Sequence, residues 1–505
     1  MTDHRIKNIV IVGGGTAGWM AAAALSKSLG RECSIRLIES EEIGTVGVGE
    51  ATVPHLSTFN QLLGIDEADF VRSTMGTFKL GVRFVDWSRI GHSYVHGFGT
   101  RIGLDFGSLP FHQYWLKAFK AGHAKDIGAY SLNTLAAPLG KFMVSAVDAP
   151  ANTPLANIPY AYHFDAGLYG RYLRRLAEAQ GVRRTEGKIK ETVLRPLDGF
   201  VDAVVLESGE RIGGELFIDC SGFRGLLIEQ ALKTGYEDWT HWLQNDRAVA
   251  VGCERVGPPA PYTRATAQPS GWQWRIMLQN RTGNGHVYSS QYISDDEATA
   301  TLLRNIDGKP LGDPRLLRFT SGTRKKFWNK NVVALGLASG FLEPIESTSI
   351  YLVQSAIARL LALFPQQDFS DVLIDRYNAQ SRFELERVRD FLILHYYATE
   401  RDDSPYWNYC RNMDIPEPLR DTIALFRKSG AFFRNGEEFF GPVSWVQAML
   451  GQGIMPENHH FAVDQMSPKD LHEFVAHVEQ VIASCVDAMP PHQAFIDRYC
   501  KAPGV

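Results

Sequence analysis

The sequence predicts an α/β chain, α+β in its later part, built on a Rossmann-like parallel sheet, and three features predict it. A β-branched run, Lys7 to Val12, opens the chain and is ended at once by glycines. Ala-rich helical sequence follows, then a second apolar run, Ser34 to Ile38. Short apolar strands ended by glycine recur far downstream, at Leu216 to Cys220 and Asn331 to Leu335. Apolar runs alternating with helices imply βαβ crossovers, and crossovers imply parallel strands.

Taken in order, the first helix spans about Thr16 to Leu29, and Glu39 closes the second strand. From about 80 to 150 the pattern is irregular and rich in Gly, His and aromatics. Tyr169 to Ala179 reads as a helix, and Val182–Arg184 and Val201–Leu206 as strands around a turn-rich connection. Mixed strands fill about 225–330, and a long apolar helix runs from about Thr348 to Phe364. Beyond Phe369 the chain is helical and aromatic. The expected organisation is a core over 1–385, interleaved with segments at about 80–150 and 225–330, and a helical part over 386–505.

A chain of 505 residues buries a sizeable core, and 45% hydrophobic with 21% charged residues is ordinary for a globular enzyme. Net charge is −4, with no basic run or tail, which argues against nucleic acid or an anionic membrane surface as partner. No apolar stretch approaches the ~18–20 residues that span a bilayer, and no signal-type apolar segment follows Met1. Six scattered cysteines (Cys33, Cys220, Cys253, Cys410, Cys485, Cys500) form no CxxC pair and no zinc-type cluster. Such sparse use fits a reduced, cytoplasmic enzyme.

Gly13, Gly15 and Gly18 of Gly13-Gly14-Gly15-Thr16-Ala17-Gly18 match GxGxxG between a strand and a helix. Glu39 stands at the end of the next strand, about 20 residues on, as a dinucleotide fingerprint requires. The glycines permit a tight turn and close backbone approach, Thr16 and Ala17 open the helix, and its N-terminus meets the pyrophosphate. Glu39 is placed to accept hydrogen bonds from the ribose. The distant strand–glycine elements at Ile218–Gly222 and Val332–Gly336 favour the extended FAD over NAD.

Four further motifs change the reading: Gly47-Val48-Gly49-Glu50-Ala51-Thr52-Val53-Pro54, Phe78-Lys79-Leu80-Gly81, Gly271-Trp272-Gln273-Trp274-Arg275-Ile276 and Gly340-Phe341-Leu342-Glu343-Pro344-Ile345-Glu346-Ser347-Thr348. In this order on one chain they resemble the flavin-dependent tryptophan halogenase family, from the first strand to at least Phe364. The resemblance implies an FAD-binding domain of the flavin monooxygenase type, reduced FAD and a halide (chloride or bromide) as cofactors, and a separate NAD(P)H-dependent flavin reductase. It adds Gly49, Glu50, Ala51, Leu337 and Ile350 to the expected cofactor contacts.

Lys79 alternates with Phe78 and Leu80 in what reads as one strand, Phe78 to Val85. The ordinary reading is a solvated strand lysine. The sharper one is a desolvated ammonium that captures or orients hypohalous acid, and the resemblance aligns Lys79 with the family's catalytic lysine. Glu346 before a helix reads either as a capping carboxylate or as a base, and the resemblance makes it the catalytic glutamate that stabilises and deprotonates a cationic ring adduct. Thr348 and Ser349 open the following helix, whose unpartnered N–H groups suit a halide; the family usually has glycine at 349.

Trp272 and Trp274 resemble a WxWxIP signature, with Met277 in place of its proline. They also read as one aromatic face of a sheet. His96, Phe98 and Trp445 are candidate substrate contacts. Where tryptophan-specific members carry two tyrosines and a glutamate, this chain has Phe439-Phe440 and Val443-Ser444-Trp445. Burying an ammonium and a carboxylate without partners costs several kcal/mol, so indole or a substituted indole is expected over free tryptophan. The rival readings are a single-component flavin monooxygenase that hydroxylates its ring, a non-catalytic FAD-binding protein, and an NAD-linked dehydrogenase, which would need a second nucleotide fold.

Overall fold

A computed structural model describes residues 4–42, 49–146, 148–150 and 153–504; Gly47 and Val48 of the second glycine motif lie outside them. The described chain divides into two compact units. The first is Met1–Met75, Phe164–Asp246 and Arg318–Leu385; the second is Gly76–His163, Arg247–Leu317 and Glu386–Val505.

The first unit is built on the expected parallel sheet. Asn8–Val12 lies between Ser34–Glu39 and Leu216–Asp219, with Arg183–Glu186 beyond the former and Val332–Ala334 beyond the latter, all parallel. Trp328–Asn329 adds a short antiparallel edge. Val10 and Val12 pack with Ile38, Phe217 and Val332 because strands covered on both faces must be apolar throughout. Thr16–Leu29 covers one face and packs on Ala166–Ala179 and Ser349–Ala362. Its run of buried alanines permits that closeness. The other face meets an antiparallel sheet of Ile189–Leu194, Val201–Leu206 and Arg211–Gly213.

The second unit centres on a seven-stranded mixed sheet, in which, inward from the edge strand Arg315–Arg318, Arg247–Glu254, Arg281–Tyr288, Gly271–Met277, Thr263–Gln268, Gly81–Val85 and Ser93–Gly97 follow in that order. From Arg247–Glu254 to Ser93–Gly97 the pairs are antiparallel except Thr263–Gln268 with Gly81–Val85. The helix Asp295–Asn305, opened by a Ser294–Glu297 capping box, lays Ala298 and Leu302 on Val249 and Val251. The C-terminal part is helical, as expected: Pro405–Asn412, Glu417–Ser429, Pro442–Gly451, Pro468–Ala488 and His492–Tyr499. No described helix is long and apolar enough to cross a membrane.

One expectation fails here. Phe78 to Val85 is two strands, Thr77–Lys79 and Gly81–Val85. The first pairs with Ala161–Asp165, the second with Thr263–Gln268 and Ser93–Gly97. The chain changes sheets at Leu80, whose N–H goes to Pro261 O and whose carbonyl accepts from Phe98 N–H.

Candidate active site

In the first unit the fingerprint glycines form an open cradle. Gly13 has φ +108°, a value that suits glycine, and a Cβ there would fall 2.3 Å from Cys220 O. A Cβ on Gly18 would fall 1.9 Å from Gly13 O, so this glycine lets helix and turn close together. A Cβ on Gly15 would meet nothing within 4 Å. Gly15 is the N-cap of Thr16–Leu29 and no side chain caps that helix, so its first N–H groups face this space. An open backbone concavity at a helix N-terminus fits a dinucleotide pyrophosphate.

Glu39 lies against Gly14, where a Cβ would be 1.5 Å from its Oε2. Arg184 Nε donates to Glu39 Oε1 at 2.5 Å, and Trp19 Nε1 to Oε2 at 3.3 Å. Sequence reasoning missed these two orienting residues; Arg184 sits on the parallel neighbour strand, Arg183–Glu186, whose place beside Glu39 only pairing reveals. The turn Gly336–Ala338 brings Leu337 beside the fingerprint helix: a Cβ on Gly336 would be 3.0 Å from Ala17 Cβ. Gly49–Ala51 leads into the helix His55–Leu63, whose His55 ring meets Tyr351 edge-on at 5.0 Å. Ile350 stands buried one residue before Tyr351.

Glu346 is 1% exposed and ends the one-turn helix Pro344–Glu346. It does not cap the next helix: Thr348 is the N-cap, without a side-chain cap hydrogen bond, and Ser349 the first helical residue. Between them Ser347 is buried with φ +61°, a left-handed conformation that costs a non-glycine residue roughly 1–3 kcal/mol. That left-handed residue separates the one-turn helix ending at Glu346 from the helix that begins at Ser349. Buried Glu343 of the same motif accepts from Asn245 Nδ2 at 2.8 Å.

In the second unit Lys79 is 0% exposed. Its Nζ stands 5.2 Å from the centre of the Phe98 ring, a cation–π contact. Burial removes the solvated-lysine reading. Thr77 and Lys79 face the same way as His163 and Ala161, their partners across the strand pair. Phe78 points oppositely into rings of Phe142 (stacked, 4.4 Å) and Phe495 (edge-on, 5.3 Å).

His96 is buried, with its ring 5.7 Å from Phe391 and 6.3 Å from Phe440. Phe391 stacks on Phe440 at 3.8 Å and meets Trp445 edge-on at 4.9 Å, and Trp445 stacks on Phe432 at 5.3 Å. Gln447 Oε1 accepts from Gly97 N–H at 2.8 Å and so holds the segment between His96 and Phe98. His96, Phe98 and Trp445 therefore belong to one unit with Lys79. Phe391 and Phe432 were missed, because aromatic residues in a helical stretch carry no positional signal. Trp272 and Trp274 pack at 6.2 Å on one sheet face, and Trp272 also meets Trp87. The carbonyl of Met277 accepts from Thr77 Oγ1 at 2.7 Å. Any residue, proline included, supplies that carbonyl, so the departure from the signature leaves this link to the lysine strand intact.

A Rossmann-like cradle that fits a dinucleotide in one unit, and a buried lysine beside an aromatic ring in the other, are features of a nucleotide-dependent enzyme. Comparison with known proteins narrows this. The tryptophan halogenase family model matches residues 8–468. Tryptophan 6-halogenase SttH of Streptomyces toxytricini is 36% identical over 90% of this chain and 91% of its own, and tryptophan 7-halogenase RebH of Lentzea aerocolonigenes 33% over the same shares. A solved flavin-dependent halogenase from Xanthomonas campestris superposes with TM-score 0.96 at 50% identity, covering 99% of this chain and 100% of that one. The chain belongs to the tryptophan halogenase family. It is a flavin-dependent halogenase, an enzyme that uses reduced FAD and a halide ion.

Proposed function

We propose that this halogenase acts on indole or a substituted indole rather than on free tryptophan, with Lys79 and Glu346 as catalytic residues. The observation that carries the reading is the complete burial of Lys79 with its Nζ 5.2 Å from the Phe98 ring, since buried titratable groups beside an aromatic wall cluster at functional sites. Phe440, placed where tryptophan-specific relatives offer a phenol, is stacked on Phe391. Rings on that wall suit an uncharged arene better than a zwitterion.

FAD, when bound and reduced, supplies with O₂ the oxidation of chloride or bromide to hypohalous acid. Gly13, Gly15, Thr16, Ala17, Gly18, Glu39, Gly49, Glu50, Ala51, Leu337 and Ile350 would hold it. The N–H groups at Thr348 and Ser349 would hold the halide, as helix N-termini hold anions. Lys79 donates a hydrogen bond to the oxygen of hypohalous acid and makes the halogen more electrophilic. The ring, oriented by His96, Phe98 and Trp445, attacks the halogen; the halogen–oxygen bond breaks and water leaves with the proton that Lys79 helps deliver. Glu346 stabilises the cationic adduct and takes the ring proton, which restores aromaticity. The net change is arene plus hypohalous acid giving halogenated arene plus water. A separate flavin reductase supplies the reduced cofactor, and the cytoplasm is the proposed compartment.

Indole incubated with the enzyme, a flavin reductase, NADH, FAD and bromide should yield monobromoindole by mass spectrometry, faster than tryptophan yields bromotryptophan. Faster turnover of tryptophan, or a hydroxylated product, overturns the proposal.

A further inference from the structure

We propose that His492 and His163 are positioning residues for Lys79, wired to its three-residue strand so that one fixes the main chain and the other the polar face beside the ammonium. The inference rests on the reading of Lys79 given above.

A three-residue strand in a single pairing has little stability of its own. A lysine carries roughly 2 kcal/mol of rotamer entropy, so its ammonium is placed only if the backbone beneath it is fixed. Two histidines, 329 residues apart in sequence (492 minus 163), supply that restraint. His492, on the C-terminal helix His492–Tyr499, accepts from Phe78 N–H through Nε2 at 3.2 Å. Its Nδ1 lies 2.8 Å from Pro259 O, which can only accept. Nδ1 therefore carries the proton and Nε2 the lone pair, and the two bonds fix ring and tautomer together. The edge of His492 also meets the Phe78 ring at 6.1 Å.

His163 takes the other side. Thr77 Oγ1 donates to Met277 O at 2.7 Å, so it accepts from His163 Nδ1 at 3.2 Å. His163 Nε2 then accepts from Thr263 Oγ1 at 2.9 Å. Thr77 is two residues before Lys79, on the same face. Both histidines are fully buried and neutral: burial pushes His492 down to about 4. His163 lies well below the usual imidazole range through burial, then the neighbouring Lys79 charge, then His492. A proton on His492 Nε2 would face the Phe78 N–H donor and break the contact, so the wiring works only in the neutral state.

The test measures where oxidised bromide ends. The holoenzyme, with reductase, NADH, FAD, bromide and indole, is run with a freely diffusing 1,3-diketone that takes up escaped hypobromous acid. The readout is the ratio of bromoindole to brominated diketone, which does not depend on the fraction of protein that folds. His492→Phe should lower that ratio about ten-fold, because misplacement near 1 Å is expensive in catalysis. His492→Gln, whose Oε1 restores an acceptor, should stay within about two-fold of the parent. Thr263→Val, a milder change on the His163 side, should lower the ratio in the same direction. Unchanged ratios in His492→Phe and Thr263→Val, or a His492→Gln indistinguishable from His492→Phe, overturn the positioning role. Lys79→Ala is run alongside: if it keeps the parent ratio, the lysine reading itself fails. If it alone loses the ratio, only the positioning inference fails.

Discussion

The glycine cradle of the first unit and the lysine strand of the second solve the placement of a reactive group in opposite ways. The cradle is local. Gly13, Gly15 and Gly18 lie within six residues, and Gly18 packs on Gly13's own carbonyl. The lysine strand is assembled from afar: Pro259, Met277, Thr263 and His492 reach three residues at 77–79 through hydrogen bonds spanning up to 414 positions. A backbone device can be written in a short motif, whereas a side chain held by side chains must be gathered by the fold.

The largest effect should fall on the local device. Gly18→Val places carbons where Gly13 O already stands, so FAD should be lost altogether, as the absorption spectrum of the purified protein would show. Retention of stoichiometric FAD would break the contrast. Next, Glu346→Gln should leave FAD binding unchanged and lower the rate of halogenation by about 10²–10⁴, the usual range for a general base. A loss below about three-fold would move proton removal to another group.

The distinction explains what the sequence made legible. The parallel sheet and the cradle followed from strand–glycine–helix patterns, and the helical C-terminal part from its composition. Lys79 stood out only through resemblance, since its alternation with Phe78 and Leu80 suits an exposed strand equally well. The same alternation concealed the break at Leu80: period-two patterning continues across it while the hydrogen-bonding partner changes from Ala161–Asp165 to Thr263–Gln268. Arg184, His163 and His492 were invisible for a related reason. Their contacts exist only once distant strands and a terminal helix have come together. Ser347 illustrates a third limit, because nothing in Glu-Ser-Thr announces a residue at φ +61°.

A smaller effect is read in the pH dependence of stability. His492 titrates near 6.5 when unfolded and about 4 when folded, so the unfolded chain binds more protons in between. Its stabilisation is present above about pH 6.5 and lost as pH falls towards 4, at most roughly 3 kcal/mol, with His163 acting in the same sense. Buried His286, also about 4, contributes to the same acid limb. The melting temperature should therefore fall between pH 6.5 and 4, less steeply in His492→Gln; an unchanged slope would show that His492 does not drive it.

The central claim is that Lys79 delivers halogen to the ring and takes no part in making hypohalous acid. Lys79→Ala, assayed with bromide, indole and a diffusible scavenger, measures this directly. The account predicts bromoindole lowered by at least about 10², with total oxidised bromide unchanged and recovered on the scavenger. Bromoindole at the parent rate, or loss of product and scavenged bromide together, would contradict it.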